Sequence, residues 1–357
     1  LPRADLEFLL EHHRRHVEVA FIGRRGRYRL TPRGVAGVIV LPNVRLHIEP
    51  KIAPAELLFL FDPQTPPASG GESAGVSDVL TRRLAALMRE RAAAGLHRGY
   101  VERSDALATP IGRLDVPALA RDAAGRRDRL PCRFDEFTTD VPCNRLVKAA
   151  AERVVASPAL NDGVRAELQQ ALAAFAEAGP TAADDAAFAA ALADPLTVTY
   201  RPLLELCRAL GNGLLIDLER VFERYVTRGL VEYFAGREIR VEVQPWTPLH
   251  AAADGPALGL RPDVVLRRGA AAVAVADAKW KRFSGTPDAD DLHQILAYAT
   301  ALGVPRVALV YPGRRSRVRE VSLAHSPVTL ALHVVRVAGD RTACRRSLRR
   351  FARSLVE

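Results

Sequence analysis

Between Arg261 and Thr300 the chain reads RPDVVLRRGAAAVAVADAKWKRFSGTPDADDLHQILAYAT. No other stretch constrains the fold as tightly. Two short apolar runs rich in valine flank an Arg-Arg-Gly-Ala-Ala turn, the pattern of two paired strands. Asp263 heads the first run, just after Pro262. Asp277 ends the second, and Lys279 follows two residues on, so both point to one side of the strand. A helical pattern comes next, with Gln294 and Tyr298 one turn apart on a shared face. The start of one strand is thereby brought beside the end of its neighbour. Two carboxylates and a lysine meet where a divalent cation can be held and a phosphodiester cut.

Each residue type suits that chemistry. Mg²⁺ takes oxygen ligands in an octahedron and keeps several waters. Asp263 and Asp277 supply two carboxylates, and the Ala278 carbonyl a further oxygen. Lys279 can orient or activate the attacking water, or offset charge on the pentacoordinate phosphate. Trp280, Lys281 and Arg282 continue as a basic stretch suited to a DNA backbone. Gln294 can hydrogen-bond a phosphate or a water on the cation, and Tyr298 can hold the next phosphate. Glu223, on a helix upstream, is a candidate third acid. An isolated D-x-K is most simply a structural ion pair. The ordered set, P-D on one strand, D-x-K on the next and Q-x-x-x-Y on a helix, is far more specific.

Around this core the chain alternates in character. Residues 1–16 read as a short helix with Leu6, Phe8, Leu9 and Leu10 on its apolar side. Short runs rich in β-branched residues follow at 17–23, 27–32, 34–41 and 44–52, a small sheet or partial barrel. A helix at 55–61 leads to a Pro/Gly/Ser-rich stretch, 62–75, expected to be a mobile loop. A helix from 76 to 94 and a strand at 96–109 come next. In that strand Arg98, Tyr100 and Arg103 read as a solvated strand face more readily than as a nucleic-acid patch. Asp135, Glu136 and Asp140 precede an amphipathic helix carrying Leu146, Val147, Ala150, Val154 and Val155. Their negative charge would complement that helix's N-terminus. Residues 158–235 read as helical throughout, ending in one long helix over 213–236 with Leu218, Val221, Phe222, Tyr225, Val226 and Leu230 buried. Strands are expected at 237–246, 307–312, 319–325 and 329–337. The tail, 341–357, is a helix with Cys344, Leu348, Phe351 and Leu355 inward and five arginines outward, facing DNA phosphates or simply water. These patterns divide the chain into an N-terminal β-rich domain (1–131), a helical middle (132–212) and a C-terminal mixed sheet flanked by helices (213–357), a multidomain α+β and α/β protein.

Bulk properties exclude several classes. The formal net charge of +10 admits a polyanionic partner, although arginine- and alanine-rich composition alone produces such a balance. The cysteines at 132, 143, 207 and 344 form no C-x-x-C and no zinc spacing, as expected of buried free thiols in a reducing cytoplasm. His12, His13 and His16 read as a solvated helix face. No apolar run reaches the roughly 18 residues of a membrane helix, no signal peptide is visible, and no P-loop is present.

The ordered combination resembles the PD-(D/E)xK nuclease superfamily, and within it the McrC family. GVIVLPNVRLHIEPKI (37–52), IGRLDV (111–116), CRFDEFTTDVPCNRLVKAA (132–150), VFERYV (221–226) and DLHQILAYA (291–299) carry the wider resemblance. It implies a Mg²⁺-dependent DNA endonuclease, with Mn²⁺ able to substitute, in a modification-dependent restriction system directed at modified DNA such as 5-methylcytosine. It places catalysis on Asp263, Asp277, Lys279, Gln294 and Glu223, with Asp263, Asp277 and Glu223 as metal ligands and Lys281, Arg282 and Tyr298 on DNA. It also implies a McrB-like hexameric AAA+ GTPase or ATPase as partner, docked through the N-terminal part and stimulated by this chain. The alternative class is a catalytically silent DNA-binding adaptor that activates the same partner.

Overall fold

A computed structural model of the chain describes all residues except 24–26, 62–74, 122–127, 212–213, 249–258 and 323–326. The loop expected at 62–75 thus falls, but for Gly75, outside the described residues. In chain order the elements open with α1 (Arg3–His12), β1 (Val17–Phe21), β2 (Tyr28–Pro32), β3 (Val35–Val40), β4 (Arg45–Ile48) and α2 (Pro54–Phe61). Then come α3 (Val76–Ala93), β5 (Gly99–Leu107), β6 (Arg113–Leu114), α4 (Val116–Arg121) and β7 (Leu130–Thr138). The helical stretch holds α5 (Pro142–Val155), α6 (Asp162–Leu172), α7 (Asp185–Ala193) and α8 (Arg201–Leu210). It is followed by β8 (Leu215–Asp217), α9 (Leu218–Phe234), β9 (Ile239–Val243), β10 (Thr247–Pro248) and β11 (Gly259–Leu260). The chain closes with β12 (Val264–Arg268), β13 (Ala271–Ala278), α10 (Ala289–Leu302), β14 (Arg306–Gly313), β15 (Arg317–Ser322), β16 (Thr329–Arg336) and α11 (Arg341–Ser354). Two compact units result, one of Leu1–Val79 with Leu215–Glu357, the other of Leu80–Leu214.

The first unit is built on a six-stranded sheet in the order β15-β16-β14-β13-β12-β9. β12 and β13 pair antiparallel, with Val264 opposite Ala276. β13 and β14, and β14 and β16, pair parallel. Central strands covered on both faces should be largely apolar, and here buried residues line both faces. Val265, Val275, Val307, Leu309, Leu330 and Leu332 share a cluster with Ile295, Tyr298 and Ala299 of α10. By the two-residue period of a strand, Val264, Leu266, Ala274, Ala276 and His333 face the other way, and they too are buried. That face is covered by α9 and α11; the rings of His333 and Phe351 meet edge to face at 4.9 Å.

A smaller three-stranded sheet, in the order β4-β3-β8, lies in the same unit, with Leu9, Val17, Val35, Ile39, Leu41 and Ile48 as its core. β8 corrects the sequence reading of one helix over 213–236. Leu215–Asp217 pair antiparallel with Val35–Gly37, and the helix starts only at Leu218, where the Asp217 side chain caps Arg220 N. Leu-Leu-Ile-Asp carries no propensity strong enough to resist a waiting strand edge. The stripe expected on α9 is buried as read.

In the second unit β5, β7 and β6 form a sheet, and α5 packs with α6, α7 and α8. The acidic cluster before α5 is not a helix-end charge device. Asp135 and Glu136 lie on β7. Asp140 is buried and accepts from Arg145 Nε at 2.6 Å, Gly179 N at 2.6 Å and Arg103 Nη2 at 2.7 Å. Asn144, inside the first turn of α5, accepts from the Tyr200 hydroxyl at 2.8 Å and donates to Thr139 O at 2.7 Å.

Candidate active site

The antiparallel pairing of β12 with β13 places Asp263, one residue before β12, against the end of β13. Asp263 Oδ2 accepts from Ala278 N at 2.8 Å. Lys279 Nζ lies 2.7 Å from Asp277 Oδ2, and that oxygen, buried, has no other partner among the described residues. Lys279 Nζ also donates to Gln294 Oε1 at 2.7 Å. Gln294 Nε2 donates to the Tyr298 hydroxyl at 2.7 Å, which donates in turn to Arg261 O at 3.1 Å. A chain of contacts therefore runs from Asp277 through the lysine and α10 back to the head of β12.

Glu223 reaches this group from α9. Its Oε1 accepts from Gln244 Nε2 at 2.6 Å, while Gln244 N donates to Asp263 O at 2.9 Å. Gln244 is the one described non-glycine residue at positive φ, 45°, a conformation that costs about 1–3 kcal/mol and persists only where its surroundings demand it. The strained residue links the glutamate's helix to the aspartate's strand.

Burial, then the charges of Asp277 and Glu223, push the Asp263 carboxyl up to about 8. Burial also raises Asp277, against the pull of Lys279, and raises Glu223, against its bond to Gln244. Burial disfavours the charged form of all three carboxyls, a cost that a bound cation would offset. Among the described residues no three acidic, imidazole or thiol groups converge into a ready-made metal cage. An all-oxygen set of two neighbouring carboxylates fits Mg²⁺, which characteristically takes one or two carboxylates and completes its shell with water and substrate phosphate.

The residues expected on DNA divide. Arg282 is exposed and lines a cleft of about 810 Å³ with Lys51, Trp280 and Arg314. Lys281 spends its charge inside the protein, 2.9 Å from Asp288 Oδ2 and 3.0 Å from both oxygens of Asp291. Tyr298 is 3% exposed, so a phosphate contact does not fit it. Its ring packs into the sheet while its hydroxyl props the exposed Gln294 one turn earlier. Gln244 and Asp291 are site neighbours that the sequence reading missed. Asp291, one turn before Gln294, was detectable by helical spacing; the backbone strain of Gln244 leaves no sequence mark.

The family model described as McrBC 5-methylcytosine restriction system component matches residues 30–312. Among solved structures, the chain is similar to one in the refined half-complex from the tetradecameric assembly of Thermococcus gammatolerans McrB AAA+ hexamers with bound McrC. Identity there is 18% over 98% of this chain and 89% of that chain, with a TM-score of 0.53. A chain in the cryo-EM structure of the Thermococcus gammatolerans McrBC complex is 21% identical over 58% of this chain and 68% of that chain, with a TM-score of 0.41. At such identities the first likeness speaks to the fold alone. No curated protein matches the chain.

Proposed function

The chain belongs to the McrBC 5-methylcytosine restriction system component family, and from that premise we propose that it is the system's DNA-cutting subunit, a Mg²⁺-dependent endonuclease of PD-(D/E)xK type. The observation that carries this reading is the meeting of Asp263 with the end of β13, where Lys279 Nζ lies 2.7 Å from Asp277 Oδ2. Carboxyls raised chiefly by burial are costly to charge alone, and a bound cation offsets that cost.

Asp263 and Asp277, with Glu223, would hold the cation, which when bound lowers the pKa of its water and stabilises charge on the phosphate. Lys279, oriented by Asp277 and Gln294, sets a positive charge where charge develops on the phosphoryl oxygens. Gln294 is itself oriented by Tyr298. Arg282, with Lys51 and Arg314 across the neighbouring cleft, pairs with flanking phosphates of the strand. Specificity for modified DNA and energy for translocation belong to a separate AAA+ nucleotide hydrolase, docked through the N-terminal part of this chain and stimulated by it. The absence of a P-loop from this sequence and the McrB hexamers bound in the solved relative support that division.

Lys279→Gln tests the lysine. With the partner, nucleotide, Mg²⁺ and methylated DNA present, cleavage should fall by at least ~100-fold. The melting temperature should stay within a few degrees of wild type. Undiminished cleavage would contradict the role given to Lys279.

A further inference from the structure

Away from the carboxylates, α9 and α11 enclose a cleft of about 490 Å³, lined by Arg228, Arg237, Arg345, Arg349 and Arg353 with Glu232 as its lone acid. At 100° per residue, its α9 residues lie on the flank of that helix opposite Glu223, so it is separate from the candidate active site. Some of this charge is structural. Arg228 donates to Phe61 O at 2.9 Å and to Leu60 O at 3.1 Å, and Arg237 stacks over the Tyr233 ring at 4.5 Å. Arg345, Arg349 and Arg353 recur every four residues and are exposed; Arg353 meets Glu357 at 3.8 Å.

We propose that this cleft is a second DNA-backbone site, gripping phosphodiesters outside the reaction centre. Charge is the first reason. Five guanidinium groups line the cleft with a single carboxylate, Glu232, among the lining residues, an excess of positive charge that an anion would offset. Every cation lining the cleft is arginine, whose planar fork matches phosphate oxygens two at a time. Spacing is the second. Arg345 to Arg353 spans about 12 Å of helix at ~1.5 Å per residue, and over that length one strand of duplex presents three or four phosphates at ~3.4 Å of axis each. Rigidity is the third. Gly229 lets α9 approach α11 so closely that a β-carbon there would collide with Leu348, which fixes the walls before a ligand arrives.

The inference rests on DNA being the substrate, and its test separates failure of the grip from failure of the nuclease reading. Fluorescence anisotropy of the full chain on a labelled 30-base-pair duplex, over a salt series, compares R349Q/R353Q with R346Q/R350Q. Both pairs remove two charges from exposed positions of one helix, and the second pair lies off the cleft. R349Q/R353Q should weaken binding at least tenfold at low salt and reduce the log–log salt slope by about 1.8, at ~0.9 per lost phosphate contact. R346Q/R350Q should change affinity less than threefold. Equal losses would mean diffuse attraction and overturn the proposal, as would no loss in either. Displacement of the duplex by poly-glutamate as readily as by unlabelled DNA of equal charge would make the cleft a protein dock and also overturn it. Binding is read without Mg²⁺, so a wild-type chain that never cuts leaves these outcomes intact.

Discussion

Asp263 and Asp277 carry opposite demands: burial favours their protonated forms, helped by the charge of Asp277 at Asp263 and of Asp291 at Asp277, while Lys279 favours charge on both. A carboxyl raised in the folded state contributes stability below its unfolded pKa and loses it as pH rises through the folded value. For Asp263 that window runs from the ordinary aspartate range up to about 8. Metal-free protein should therefore lose a few kcal/mol between pH 5 and pH 9 in urea unfolding, and millimolar Mg²⁺ should return most of it at pH 8 and little at pH 5. A metal effect equal at both pH values would contradict the cation site. Asp140 works in the other direction. Its bonds to Arg145, Gly179 and Arg103 hold it well below the carboxylate range, so its contribution is present above the unfolded value and lost on acidification. Gln244 gives a second residue-level prediction. Gln244→Gly relieves positive φ and should raise stability by up to ~1 kcal/mol, yet lower cleavage about tenfold because Glu223 loses its support. Full cleavage would make the strain unrelated to the site.

The elements holding these residues were mostly legible. The hairpin of β12 and β13 follows from two apolar runs around a glycine turn. The buried stripes of α5, α9 and α11 follow from a 3.6-residue period. Three-dimensional partnership was not legible. Leu215–Asp217 become a strand only because β3 offers an edge, and Asp140 becomes an anchor only because Arg103 and Gly179 arrive from distant sequence. Which side of α10 faces solvent is equally hidden, so Tyr298 reads as a DNA contact and is in fact a prop. Gly229 shows the same limit: helix propensity favours alanine there by ~1 kcal/mol, but the approach of Leu348 forbids it. Gly229→Ala should lower stability by about 1–3 kcal/mol through overpacking, seen as a drop in thermal midpoint. A rise would show that α9 and α11 have room to spare.

At the scale of the whole molecule, the sheet that carries the carboxylates is assembled from the C-terminal third of the chain, yet its unit also includes the N-terminal strands and α2. The helical segment 80–214 forms the other unit. Among the described residues no helix is long and apolar enough to cross a membrane. Family membership makes the chain a restriction-system component, and the proposed role of Asp263, Asp277 and Lys279 makes it the cutting one. The most direct test incubates the purified chain and its AAA+ partner with nucleotide, Mg²⁺ and methylated or unmethylated duplex, for wild type and Asp277→Ala. The account predicts cutting of the methylated duplex by wild type only, with partner nucleotide turnover still stimulated by the Asp277→Ala chain. Equal cutting by Asp277→Ala, or stimulated turnover with no cutting even by wild type, would contradict it.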